Sequence, residues 1–134
     1  MIKIYIASKM HHAAKWRELR DSWKPHGLFI TSTWIDHDHL EHAATPDDFK
    51  VFWITDHKDV VEAEFLVLYG EEDDTLRGAL VEAGMFIALN KHVIVVGSNP
   101  GYGTWQYHPA VLRCASLDAA KKAILYLNRK APRA

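Results

Sequence analysis

EFLVLY at residues 64–69, GALVEAGMFIAL at 78–89 and HVIVVG at 92–97 form the stretch that decides the fold. The first and last are short, continuous apolar runs, as expected of strands buried on both faces. The middle segment has the length of a helix, and Glu82 is its one ionisable residue. A buried strand, a helix and a second buried strand describe a parallel crossover unit.

Working outward, the alternating segment Ile2–Ala7 predicts a first strand. Residues His11–Trp23 carry Ala13, Trp16, Leu19 and Trp23 near helical spacing, and Pro25 and Gly27 stop that helix. Leu28–Thr33 is a second predicted strand, followed by a histidine-rich loop through Pro46. A helix is predicted over Asp47–Ala63, with Thr45 or Asp47 available as its cap. Beyond the fourth strand, Val111–Cys114 is a fifth and Leu117–Asn128 a closing helix. The reading is one α/β domain over all 134 residues: a doubly wound, flavodoxin-like five-stranded parallel sheet with helices on both faces. Repeats, low-complexity tracts and linkers are absent from the sequence.

Composition narrows the function. Sixteen basic against 17 acidic residues give no electrostatic case for a nucleic acid polymer or an anionic membrane as partner. The single cysteine, Cys114, excludes an intramolecular disulfide and reads as a small strand residue. With no leader pattern or bilayer-length apolar run, a soluble, cytoplasmic protein is expected.

In such a sheet, ligands bind beyond the carboxyl ends of the strands. The loops at that edge carry Ser8, Lys9 and His11; Trp34 and Asp36; Glu71, Asp73 and Asp74; and Ser98 and Asn99. Glu82 falls in the second turn of the apolar helix, close to the same edge. A helix with no wet face should be buried, and an unpaired ionised carboxylate there would cost several kcal/mol or take up a proton. Glu82 is therefore either a core residue satisfied by an arginine or backbone amide, or a reactive acid. Gly78 lies one turn earlier on the same helical face. There it either clears space beside the carboxylate or packs the helix closely on the sheet.

Other constellations are less specific. His37, His39 and His42, with Asp36, Asp38 and Glu41 among them, read as a solvated loop rather than a metal site, because no HExxH-type helix pattern is present. Lys9, His11 and His12 offer a phosphate site at a helix start, or an ordinary polar helix start. Trp34, Trp53 and Trp105 are candidates for stacking on a nucleobase or for the core, Trp34 the best placed. Glu71–Asp74 reads as a solvated acidic loop, with Asp74 or Thr75 capping the next helix. No dinucleotide fingerprint, P-loop or Ser-His-Asp set occurs, and no cofactor or metal is expected.

Tyr5-Ile6-Ala7, Asp56, Ala63–Tyr69, Gly78–Gly84 and Asn90–Val93 together resemble the nucleoside 2-deoxyribosyltransferase superfamily, which includes deoxynucleoside-monophosphate N-glycosidases. The resemblance covers residues 2–97. It implies that Glu82 is a nucleophile toward the anomeric carbon and that the Tyr5 hydroxyl orients it. It also implies that Asp56 belongs to the catalytic pocket and that Gly78 packs on the nucleoside. Ser8, Lys9, His11, Trp34, Asp36 and Asn99 are then the candidate substrate-binding residues. Two single residues and one loop depart from the family pattern. Leu76 stands where the transferases grip the base with an aspartate. Ser8–His12 replaces the serine- and arginine-containing glycine-rich loop of the hydrolases, and Glu64 replaces an aspartate.

The implied activity is cleavage of the N-glycosidic bond of a nucleoside or its 5′-monophosphate, by hydrolysis or transfer to another base. The alternative is a non-catalytic nucleotide-binding module on the same fold. Glu82 must be ionised to attack, helped by the helix N-terminus and the tyrosine hydroxyl, whereas Asp56 needs a raised pKa to protonate the leaving base. A homodimer or larger homo-oligomer is expected, both because the family completes its pocket with a neighbouring subunit and because the Gly78–Leu89 helix is apolar all round.

Overall fold

The structure, a computed structural model, describes residues 1–37, 44–97 and 99–130. Asp38, His39, Glu41 and His42 of the histidine-rich loop, and Ser98, lie outside the described residues. Five parallel strands, β1 (Ile2–Ala7), β2 (Leu28–Ile30), β3 (Phe65–Tyr69), β4 (His92–Val96) and β5 (Val111–Cys114), pair in the order β2-β1-β3-β4-β5. This is the doubly wound, flavodoxin-like arrangement expected from the sequence. Its chain direction across the sheet reverses between β1 and β3, where ligands of such sheets bind.

Strand alternation divides the core in two. Ile2, Ile4 and Ile6 of β1 join Trp16 and Trp23 of α1 (Ala13–Trp23) and Ile124 of α4 (Leu117–Lys130) on one face. Tyr5 and Ala7 join Val60 of α2 (Pro46–Glu62) and Ala79, Ala83 and Phe86 of α3 (Gly78–Ala88) on the other. Just past the end of β4, Gly97 adopts a φ of +76°, and a Cβ there would collide with the carbonyl of Gly70, the residue just past β3. Both glycine properties, positive φ and close approach, are needed at that point.

Local chemistry set several boundaries differently from expectation. The second strand stops at Ile30 rather than Thr33. Buried Asp59 of α2 takes the Thr33 amide at 3.0 Å and its hydroxyl at 2.7 Å, drawing Thr33–Asp36 into a 3-10 turn. The first helix starts at Ala13, after a separate turn at Met10–His12. Thr45 caps α2 in a capping box with Asp48, and Pro46 follows it. Neither Asp74 nor Thr75 caps α3. Arg77 holds the N-cap position without a side-chain bond, while Asp74 accepts the Glu71 amide and pairs with His12.

The α3 helix is also not buried all round. It packs through Ala79, Glu82, Ala83 and Phe86, while Val81 is 53% exposed and Gly84, Ala88 and Leu89 face outward. The neighbouring α2 likewise exposes Val51, Ile54 and Val61. Lys91 ties the two helices together by donating to the Val61 and Ala63 carbonyls at 2.7 and 2.8 Å, at the C-terminus of α2. No described helix is long and apolar enough to cross a membrane.

Candidate active site

Tyr5 occupies the centre of β1 and is wholly buried, with its ring among the side chains of α2 and α3. Its hydroxyl donates a hydrogen bond to Oε2 of Glu82, which is 7% exposed. Two distant segments thus meet at one carboxyl group because β1 and β3 are neighbours in the sheet and α3 follows β3. The core reading of Glu82 required an arginine or a backbone amide; its hydrogen-bond partner is instead this tyrosine.

Above Glu82 lies a cavity of about 430 Å³. Phe49, Phe52 and Trp53 of α2 form one wall, with half-buried Asp56 beside them. Ser8, Lys9 and Met10 contribute from the loop after β1, Trp34 and His37 from the loop after β2, and Leu76, Arg77 and Gly78 from the start of α3. A Cβ on Gly78 would stand 3.3 Å from Cζ2 of Trp53, tighter than ordinary packing, so the glycine admits the indole against the helix. Trp34 is fixed at the rim by its indole N–H, which donates to the Ile6 carbonyl at 2.8 Å.

Both carboxyl groups are shifted in the same direction. Burial, reinforced by the charge of Asp56, pushes Glu82 up to about 8 against the opposing pull of the Tyr5 hydroxyl. Burial and the charge of Asp59 push Asp56 up to about 6. The Tyr5 hydroxyl is held far above its ordinary range, first by burial and then by the charge of Glu82, so it keeps its proton and can donate it in a hydrogen bond. The sequence led us to expect Glu82 ionised and Asp56 raised. Desolvation outweighs the tyrosine's hydrogen bond, so the balance at Glu82 lies toward the protonated form at neutral pH.

Of the residues singled out in the sequence, the structure brings Glu82, Tyr5, Asp56, Gly78, Ser8, Lys9 and Trp34 together at this place. His11, Asp36 and Asn99 do not line the cavity. His11 is exposed, 3.5 Å from Asp74. Asp36 forms an exposed ion pair with Arg20 at 2.9 Å, and that guanidinium holds its pKa below the usual range. Asn99 accepts the Gly101 amide at 2.8 Å and borders a separate cleft with Gly70 and Glu71. Trp105 is turned inward, its indole donating to the Tyr102 carbonyl at 2.5 Å. Sequence reasoning missed Met10, His37, Phe49, Phe52 and Arg77. For the α2 wall a signal was present: Phe49, Phe52, Trp53 and Asp56 follow i, i+3, i+4, i+7 spacing, which places one acid at the end of an aromatic stripe.

Fold and site together define an α/β protein with a strand-end cavity built around a tyrosine-bonded buried carboxyl. No protein-family model matches the chain, and no curated protein matches its sequence. Among solved structures it is similar to the CMP N-glycosidase BcmB of Clostridium botulinum, with a TM-score of 0.55 and 11% identity over 92% of this chain and 98% of that one. At that identity, the likeness establishes the shared fold.

Proposed function

We propose that this protein is an enzyme that cleaves the N-glycosidic bond of a nucleoside or nucleoside 5′-monophosphate through a covalent glycosyl intermediate on Glu82. The observation that carries the reading is the Tyr5 hydroxyl bonded to a nearly inaccessible Glu82 beneath a cavity large enough for a nucleoside. The fold likeness to a CMP N-glycosidase supports the same class of reaction.

Breaking this bond develops positive charge on the sugar and negative charge on the departing base. Ionised Glu82 would stabilise the first and form the glycosyl bond, while the proton held by the carboxyl pair would pass through Asp56 to the base. The pair carries one proton between about pH 6 and 8, and catalysis uses the arrangement with that proton on Asp56. The nascent sugar cation favours this arrangement by attracting charge onto Glu82. Tyr5 keeps its proton and fixes the Oε2 lone pair, leaving Oε1 for the anomeric carbon. The aromatic wall offers a slot for a flat base, and Lys9 and Arg77 supply cations beside it.

A second copy of the chain is part of the proposal. Val51, Ile54 and Val61 of α2 and Val81 of α3 leave apolar surface on adjoining helices, which a twofold dimer would cover.

The deciding experiment incubates the protein with a panel of nucleosides and their 5′-monophosphates. Free base should appear, and trapped enzyme should show a sugar adduct on the peptide containing Glu82. Ligand binding without base release by any member would leave a binding module on this fold.

A further inference from the structure

We propose that His11, His12 and Asp74 form a binding site for one divalent transition-metal ion, with zinc the best match to two imidazoles and one carboxylate. The site lies apart from the residues that line the cavity, and its existence does not depend on the reaction proposed there. One ligand atom from each of the three side chains lies within 4.8 Å of the others. His12 Nε2 stands 2.8 Å from Asp74 Oδ2, and His11 Nε2 stands 3.5 Å from Asp74 Oδ1. Tetrahedral zinc with bonds of about 2.0–2.1 Å spaces its ligand atoms about 3.3 Å apart. Because the outer limit of the present spacing is 4.8 Å, the side chains would close by up to about 1.5 Å to hold one ion. The two imidazoles, with centroids 4.0 Å apart, meet at a single carboxylate.

The supporting contacts are also those of a metal centre. Asp74 is held by the Glu71 amide at 2.9 Å, and its own amide returns a bond to the Glu71 carbonyl at 2.9 Å. The Glu71 carboxylate lies 3.9 Å from Nδ1 of His12, on the ring edge away from the shared Asp74 contact. That carboxylate accepts from the Tyr69 hydroxyl at 2.5 Å and is not itself hydrogen-bonded to His12, but metal-bound imidazoles commonly direct their second N–H to a carboxylate so placed. His12 and Asp74 are nearly closed off, whereas exposed His11 leaves the site reachable from solvent. On binding, the hydrogen between His12 Nε2 and Asp74 is displaced. The neutral imidazole keeps one N–H, on Nδ1 facing Glu71; any second proton leaves to solvent, and the Nε2 lone pair takes the ion.

The site's position gives it a consequence. His11 and His12 continue the loop whose Ser8, Lys9 and Met10 line the cavity, and Asp74 belongs to the loop leading into α3. A bound ion would tie these loops together across the point where β1 and β3 part.

The test is isothermal titration of zinc chloride into the metal-free protein at pH 7.5, with melting temperature read in parallel. One ion per chain and a higher melting temperature are expected. H11A, whose target side chain is exposed and should be dispensable for folding, should lose both effects. E71Q should keep the stoichiometry with affinity weaker by about 10–100-fold, as loss of a supporting carboxylate does. Absence of saturable uptake by the wild type, or undiminished uptake by a folded H11A/H12A double variant, overturns the site.

Discussion

The two faces of the sheet are built from the same strands and have opposite characters. On the α1/α4 side, Ile4, Ile6, Trp16, Ile94 and Ile124 close an apolar core, and the buried carboxyl residues among those described, Asp59 and Glu82, belong to α2 and α3 instead. On the α2/α3 side, the same strand β1 delivers the Tyr5 hydroxyl to buried Glu82, with Asp56 nearby, and the outer helices expose Ile54 and Val81. One face spends its burial on packing. The other keeps polar groups in dry surroundings and an uncovered apolar back. The buried carboxyl groups and these exposed apolar side chains fall on the same side, which is the side where a partner and a substrate are proposed to bind.

The strongest way to break the comparison is at Glu82. Glu82→Gln should lower base release on the order of 10⁴–10⁶-fold, as loss of a nucleophile does, while the α1/α4 core stays intact. Its stability should also change with pH in a defined direction. Glu82 is raised from 4.5 to about 8, so the folded chain holds a proton that the unfolded chain releases across that window. Its contribution is complete below about 4.5 and is lost as pH rises through about 8. Thermal melts should therefore show the variant gaining on the wild type as pH increases. A variant that unfolds at every pH would return Glu82 to a structural role.

Tyr5→Phe leaves the ring and removes only the donor. Turnover should fall on the order of 10²–10⁴-fold with little change in melting temperature, and an unchanged rate would make Tyr5 another packing residue.

Asp56→Asn sharpens the division between the two carboxyl groups. The wild-type pH profile of kcat/KM should be a bell with limbs near 6 and 8. Removing Asp56 deletes a negative neighbour of Glu82, so Glu82 should ionise at lower pH and the alkaline limb should vanish. Substrates with poor leaving bases should slow far more than activated ones; equal losses would point to positioning instead of proton transfer.

Two smaller effects contrast the surfaces. Val81→Glu or Ile54→Glu should convert a dimer to monomer in light scattering at micromolar concentration, with activity falling alongside. A wild type that is monomeric and fully active would remove the shared-surface argument. On the closed face, Ile124→Val should cost about 0.5–1.5 kcal/mol in denaturant unfolding and leave kcat unchanged.

The sheet was legible because apolar runs such as FLVLY and HVIVV have one good solution, burial on both faces. Glu82 was legible for the related reason that a lone charge in an apolar helix must be explained. Less legible was anything decided by distant partners. Asp59 reshapes the end of β2 from 26 residues away, and no local pattern around Thr33 announces it. His11, Asp36 and Asn99 sit at the correct edge of the sheet, but Asp74, Arg20 and Gly101 engage them elsewhere. Edge membership follows from topology, whereas the direction of a side chain follows from neighbours that sequence order does not reveal. The sign of the Glu82 shift was missed because it depends on how completely the helix and tyrosine exclude water.

The bond between Tyr5 and Glu82 joins positions 77 residues apart. Between them lie α1, β2, α2 and β3, so the bond requires β1 to find β3 after a long stretch of chain has been ordered. Closing such a span carries a chain-entropy cost that local helix formation does not. During refolding, helical content can return while Tyr5 and Glu82 are still apart. If the proposed activity holds, the time at which base release recovers would report the assembly of the central strands, so that function would read out the formation of a long-range contact.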